Sequence, residues 1–377
     1  MKPKKTKDKL LIYVSPEPER QGHASYTHVH EIIDNLKPLG WQVDLFCPRY
    51  AEGALPSALT RLAGIGRAMW RAIATPRGSV YYMRWHFAAF PVALWAKWQG
   101  IPTVIEVNGP VDDLFIAWPR TRKLHGFFTW VMESQLKWSS AVVAVTQGLA
   151  DMSRAITDPN KHIAVIPNGA NIDQFTPNAA KADNNFTADL PKKFMVFFGT
   201  MAPWQGIGTV LGALDDPAWP KGVHAVFAGD GVERPAVEAT AARLDHAHYL
   251  GRVPYDLLPS VVARAEGAFV CTENLEGRAI TGLAPLKMFE SLACGIPVIA
   301  SEQPYQADVV RDGECGLVVE SGDAFAVAQA VATLMKNKAK RTKMGKNARN
   351  VVIKDHSWAA RGGDTQAVLL HVLDMDA

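Results

Sequence analysis

Short apolar, β-branched runs recur along the first half of the chain: Leu10–Ser15, Trp41–Cys47, Val80–Met83, Thr103–Val107, Ala141–Val145 and Ile163–Ile166. Runs without polar alternation fit strands buried on both faces of a parallel sheet. Between them lie stretches with helical spacing of apolar positions, at Tyr26–Leu39, Ser57–Ala74, 88–99 and 120–139. Gly40 stops the first of these. Strand, helix and strand within about 40 residues make a βαβ unit. Residues 176–191 are polar, rich in Pro and Asn, and without period, which predicts a linker. The pattern then restarts, with strands at Phe194–Phe198, Val223–Ala228, His248–Leu250, Gly267–Cys271, Val298–Ala300 and Gly316–Val319 and a helix at Thr209–Leu214. A further helix is expected from Ser357-Trp358 onward. The reading is α/β: two Rossmann-like, doubly wound domains, residues 1–175 and 192–356, with a ligand cleft at the carboxyl ends of their strands.

The densest stretch is Gly282 to Ser301. Pro285 suits the first turn of a helix, where a missing N–H costs nothing. Leu286, Phe289, Leu292 and Ala293 form its apolar stripe, Gly295 closes it, and Ile296–Ala300 reads as a buried strand. Lys287 and Glu290 stand three apart, so they share one face near the positive end of the helix. That end suits a phosphate. A carboxylate one turn along suits vicinal hydroxyls such as those of a ribose.

This stretch resembles the nucleotide-site helix of the retaining glycosyltransferases of family four, which have the GT-B fold of two domains facing across a cleft. In such proteins the last helix crosses back onto the first domain, so 357–377 is expected to pack there. The loop Gly199-Thr-Met-Ala-Pro-Trp-Gln-Gly206 resembles the family's glycine-rich diphosphate loop, with Gly199, Thr200, Gln205 and Gly206 as donor-binding positions. The family commonly has arginine where Thr200 stands and lysine where Gln205 stands. Lys287, with Arg278 in reserve, is the expected replacement, as in a branch with Pro-Trp-X-Gly and Pro-Leu-Lys-X-Phe-Glu motifs. Pro285, Leu286 and Glu290 complete the nucleotide site, and Arg252 and Val253 resemble a turn beside the nucleobase. The family's second glutamate matches Glu290, but its first falls on Gly282. The donor sugar is therefore expected on the backbone around Gly282, Leu283 and Ala284, or on Glu273 or Glu276. Asn108 stands where many relatives carry a histidine facing the reacting sugar, and with Lys287 it is the expected catalytic pair. As a plain turn residue, Asn108 would instead cap the next helix. Gly22 and His23 resemble the loop that closes over the acceptor. The resemblance implies transfer from a nucleotide-diphosphate sugar, with no metal: no Asp-X-Asp cluster is present in the cleft loops.

Charge and composition narrow the acceptor. The chain has 377 residues and a formal net charge of +3. Residues 1–175 hold 20 Lys and Arg against 14 Asp and Glu, while the remainder is net acidic. This suits an anionic acceptor or membrane surface better than nucleic acid, which asks for stronger basic clustering. The segment 58–73, with Arg61, Arg67, Trp70 and Arg71, and the segment 118–130 are candidates for contact with anionic lipid, and an inward-packed amphipathic helix is the simpler alternative. A glycan, lipid or lipid-linked acceptor is expected. The four cysteines lack metal-ligand spacing and suit buried free thiols in a reducing cytosol. No apolar run is long enough to span a membrane, and the N-terminus lacks a signal peptide's apolar core. The expected place is cytoplasmic, at most at the inner face of the plasma membrane. Three other readings remain open. A NAD-dependent oxidoreductase is disfavoured because Leu11–Gly22 lacks Gly-X-Gly-X-X-Gly. A non-catalytic GT-B partner subunit and a sugar-nucleotide epimerase both fit the departures from the family pattern.

Overall fold

The structure is a computed structural model that describes residues 9–19, 24–50, 56–75, 80–277 and 279–375. The chain divides into two compact units, one of residues 1–167 with 359–377 and one of residues 168–358.

The first unit holds a six-stranded sheet of β1 (Leu10–Val14), β2 (Gln42–Phe46), β3 (Val80–Arg84), β4 (Thr103–Val107), β5 (Ala141–Ala144) and β6 (His162–Val165), in the order β2-β1-β3-β4-β5-β6. Every pairing is parallel. That arrangement explains why β5 is an unbroken apolar run and why β3 and β4 are largely apolar around Arg84 and Glu106: each strand is buried along its whole length. The first helix, Ala24–Leu36, stops three residues before Leu39 and tightens into a 3₁₀ turn at Lys37–Leu39. Pro38 causes this, because it has no N–H to continue the α-helical ladder. The helical stretch expected at 120–139 likewise opens as a 3₁₀ turn, Pro119–Leu124, before helix His125–Trp138.

The helix Trp358–Met375 belongs to this first unit from Ala359 onward. It buries Val368, Leu369, Val372 and Leu373. Gln366 donates to Leu39 O at 3.5 Å, and the His371 ring lies 4.2 Å from that of His162.

The second unit holds β7 (Phe194–Thr200), β8 (His224–Asp230), β9 (Ala247–Gly251), β10 (Gly267–Val270), β11 (Val298–Ser301) and β12 (Gly316–Val319). Their order is β12-β11-β10-β7-β8-β9, again all parallel. The order reverses between β7 and β10. In an open α/β sheet, ligands bind outside the carboxyl ends of the strands at such a reversal.

The chain enters the second unit at Asn168, so the polar stretch 176–191 lies inside that unit. It is knit to the fold through the Arg264 guanidinium, which donates to the carbonyls of Ala180 at 3.0 Å and Ala182 at 3.1 Å. Asn184 donates to Ser260 Oγ at 2.7 Å. Arg349 performs a related task, donating to Phe175 O and Ala293 O, each at 2.8 Å. Ala293 ends helix Leu286–Ala293, so a cation sits where the helix presents unpaired carbonyls.

Candidate functional site

Two loops meet at the strand-order reversal of the second unit. The first follows β7 and forms a 3₁₀ turn at Pro203–Gln205, then helix Ile207–Leu214. The second follows β10. Gly206 joins them: its φ is +70°, and a Cβ there would stand 1.7 Å from Cys271 O. No side chain fits that space, which is why glycine ends this turn. The Glu273 N–H then donates to Trp204 O at 2.9 Å, and Thr209 Oγ1 donates to Glu273 Oε1 at 2.5 Å. The Glu273 carboxylate is thereby committed to the head of the following helix, which weakens its candidacy as a sugar ligand.

Lys287 is the second residue of helix Leu286–Ala293, with Pro285 at the cap position rather than inside the first turn. Its side chain is 8% exposed, and its Nζ lies 3.8 Å from the centroid of the Phe197 ring on β7. Its Cε lies 3.9 Å from where a Cβ on Gly199 would stand. No described group hydrogen-bonds to the ammonium. Burial pushes the Lys287 pKa down to about 7, against the opposing pull of Cys271 and Glu290. Burial pushes the Cys271 thiol up to about 12, so it stays neutral near pH 7. The site therefore holds a buried, unpaired amine beside the glycine end of β7, held by an aromatic face and by no anion of its own.

Glu290, one turn along, is also buried, and Tyr255 Oη donates to its Oε1 at 2.8 Å. The turn before the helix is fixed by backbone contacts. Leu283 N–H donates to Pro304 O at 3.1 Å, and Asn168 Nδ2 donates to Ala284 O at 2.6 Å. Gly282 has φ +89°, a conformation that disfavours any side chain and gives a physical reason for glycine where the family often has glutamate. Thr200 is exposed, and Gln205 is half-buried with no described donor to its Oε1. Arg252 is exposed, and its Nε donates to Asp230 Oδ2 at 3.0 Å. The turns after β8 and β9 are thereby tied together, with the Val253 side chain packed against the core. Arg278 and the Glu276 side chain lie outside the described residues.

In the first unit, Asn108 follows β4 and donates to Glu106 Oε1 at 2.5 Å. It does not cap the next helix, whose cap position is Val111. Glu106 is 1% exposed. It also accepts from Tyr82 Oη at 2.7 Å, Arg84 Nη1 at 3.1 Å and Tyr13 Oη at 3.4 Å, and His28 Nε2 lies 2.9 Å from Oε1. Burial alone would raise its pKa; His28, Arg84 and Tyr82 reverse this and hold the carboxyl far below the usual range. The two tyrosines are pushed well above theirs, by burial first and then by the Glu106 charge. Gly22 and His23 lie outside the described residues. Among the described residues, no group of three His, Cys, Asp or Glu side chains is placed to hold a metal ion.

Residues 179–351 match the family described as Glycosyl transferases group 1, and residues 26–174 match Glycosyltransferase Family 4. The two matches follow one another and together span most of the chain. The chain is a glycosyltransferase. A phosphatidyl-myo-inositol mannosyltransferase of Mycobacterium leprae is 28% identical over 345 residues, covering 82% of this chain and 83% of that protein. Among solved structures, sucrose-phosphate synthase of Thermosynechococcus elongatus superimposes with a TM-score of 0.77 at 18% identity, over 97% of this chain and all of the other. HepE of Anabaena, in complex with UDP, gives 0.69 at 16% identity, over 96% and 99%. The glycosyltransferase thus has the expected GT-B fold of two parallel-sheet, Rossmann-like domains. Four side chains that hold its candidate sites were not expected from sequence: Tyr255, Tyr82, Arg84 and Tyr13. Each reaches its carboxylate from an element other than the carboxylate's own, so no local spacing announces the contact.

Proposed function

We propose that this glycosyltransferase is a retaining enzyme that uses a UDP- or GDP-linked sugar. The acceptor is a glycan, lipid or lipid-linked molecule in cell-envelope or polysaccharide biosynthesis. The observation that carries the donor half is the unpaired Lys287 ammonium at the strand-order reversal of the second unit. A buried amine with no anion of its own is a site waiting for negative charge. The diphosphate lies along Gly199–Gly206 with Thr200 and Gln205 at its edge. Pro285 and Leu286 lead the helix that bears Lys287, and the backbone of Gly282, Leu283 and Ala284 meets the sugar. Arg252 and Val253 border the base. Glu290 accepts from the ribose hydroxyls, with Tyr255 holding its other bonds in place. As the glycosidic bond breaks, charge grows on the leaving diphosphate, and Lys287 stabilises it there. Asn108 binds a hydroxyl of the reacting sugar.

Incubation with UDP-glucose and GDP-mannose tests this reading. The correct donor raises the melting temperature by mass action, and slow hydrolysis releases the nucleoside diphosphate. NMR of the first-formed sugar shows the α anomer from an α-linked donor. Initial release of the β anomer, or no binding of either nucleotide, overturns the reading. Glu290→Gln is expected to weaken UDP or GDP binding by about 1.5–3 kcal/mol in calorimetry, the worth of a charge-assisted bond.

The lipid acceptor rests on one face of the first unit. Helix Ala58–Ala74 buries only Ala68, Met69 and Ala72 and leaves Leu59, Leu62 and Trp70 exposed. Helices Phe90–Trp98 and His125–Trp138 expose Trp98, at 86%, and Phe127 and Trp130. Aromatic side chains among Arg67, Arg71, Arg122 and Lys123 suit an anionic interface. The mannosyltransferase of M. leprae bears a phosphatidyl-myo-inositol acceptor in its name, which supports the same class here. Pelleting with phosphatidylglycerol vesicles should fall as salt rises, because screening shortens the reach of exposed charge. Equal binding to neutral and anionic vesicles would exclude this face as an electrostatic dock.

A further inference from the structure

We propose that Glu106 is a positioning residue that fixes the Asn108 amide with its carbonyl oxygen outward, so that Asn108 presents Oδ1 as a hydrogen-bond acceptor for a sugar hydroxyl. The proposal rests on the reading above that Asn108 meets the reacting sugar. Its physical basis is the one-way chemistry of a carboxylate. Ionised Glu106 can only accept, so the Asn108 group 2.5 Å from its Oε1 must be the NH₂. The planar amide then turns Oδ1 to the opposite side. No described group donates to that oxygen, and Asn108 is only half-buried.

Glu106 cannot swing away to release this arrangement. Tyr82, Arg84 and Tyr13 converge on it from β3 and β1, and His28 from the first helix. Arg84 is itself held on its other side by Glu17, at 3.6 Å. A carboxylate has about four lone-pair directions, and Tyr82, Arg84, Tyr13 and Asn108 occupy them, with His28 beside Oε1. The flipped amide, with Oδ1 against the carboxylate, is therefore excluded as long as Glu106 stays charged.

Three substitutions at position 108 test this, using hydrolysis of whichever of UDP-glucose and GDP-mannose the protein turns over. Asn108→Ala gauges the contact and should lower kcat by about tenfold, the worth of one hydrogen bond of about 1.4 kcal/mol. Asn108→His should stay within about threefold of the parent, because an imidazole can donate one N–H inward and leave a lone pair outward. Asn108→Asp should be as slow as the alanine variant at pH 8. Two carboxylates in contact cannot both stay charged cheaply, so the new carboxyl titrates late. Once protonated, it donates to Glu106 and turns its C=O outward. Its kcat, divided by that of the parent at each pH, should then climb about tenfold per pH unit as pH falls, until it levels off. The other ionisable groups facing the pair are Arg84, His28, Tyr13 and Tyr82, with Asp113 beside Gly109, and all are common to parent and variant.

Normal turnover in Asn108→Ala overturns the placement of Asn108 at the sugar. A slow alanine variant with a flat pH ratio for Asn108→Asp keeps that placement and overturns the fixed amide. If the aspartate variant does not fold, the histidine variant decides: turnover as low as alanine's overturns the proposal, and near-parent turnover supports it.

Discussion

Lys287→Met is expected to lower kcat by about 10²–10³-fold, the usual cost of removing one preorganised donor from a developing anion, with a smaller change in KM. The same substitution should raise the melting temperature of the unliganded protein. Both effects come from one fact. The amine is buried beside the Phe197 ring with no anion near enough to pair with it, and its pKa stands at about 7 instead of 10.5. The folded protein therefore binds fewer protons than the unfolded chain between those two values. Stability rises as pH climbs from about 7 toward 10.5, and the full penalty is felt below 7. Methionine fills similar space without that penalty. Nucleoside diphosphate reverses the situation by supplying the missing charge. Its affinity should be level below pH 7 and fall above it, by up to about tenfold per pH unit, until the ligand-raised pKa is reached. In Lys287→Met that fall should vanish. Calorimetry across pH 6–9 measures it, and a methionine variant that keeps the parent's slope places the titrating cation elsewhere.

The second large effect lies in the first unit. Glu106→Leu should destabilise it by about 3–5 kcal/mol, because it leaves the Arg84 charge buried without its partner and two tyrosine hydroxyls without their acceptor. Glu106→Gln should cost less, since it keeps hydrogen-bond capacity while losing the charge. The carboxyl is held below its unfolded value, so its contribution is complete above about pH 4.5 and is lost only as pH falls further. Urea unfolding at pH 7 and at pH 4, on parent and variants, separates these terms. A leucine variant as stable as the parent would mean that Arg84 finds another counter-charge, with Glu17 the nearest candidate.

Much of this molecule could be read from its residues. β4 occurs at Thr103–Val107 as expected, and β1 ends one residue short of the expected run. A strand buried on both faces must be apolar on both, and that signal survives in any context. Helix Leu286–Ala293 was equally legible, since Pro285 and Gly295 punctuate it by chemistry that acts locally. The tie of 176–191 to its unit was not legible. Its composition is that of a tether, and what holds it lies far off in the chain, Arg264 and Ser260 among the partners. The Glu106 network was hidden for the same reason, although it left one trace: a lone glutamate in the strand Thr-Val-Ile-Glu-Val. A charge in such a strand must be paired from elsewhere, so that residue predicts partners without naming them.

The helix Trp358–Met375 has a consequence for the order in which the protein can mature. The first unit needs that helix, yet the ribosome delivers it only after the whole of the second unit. The second unit is complete in sequence before that helix is made. The first must wait with the surface that receives Val368, Leu369, Val372 and Leu373 open to water and to chaperones. A premature stop shortly after residue 358 should therefore spare the second unit and leave the first, though its start is synthesised earlier, as the part prone to aggregate.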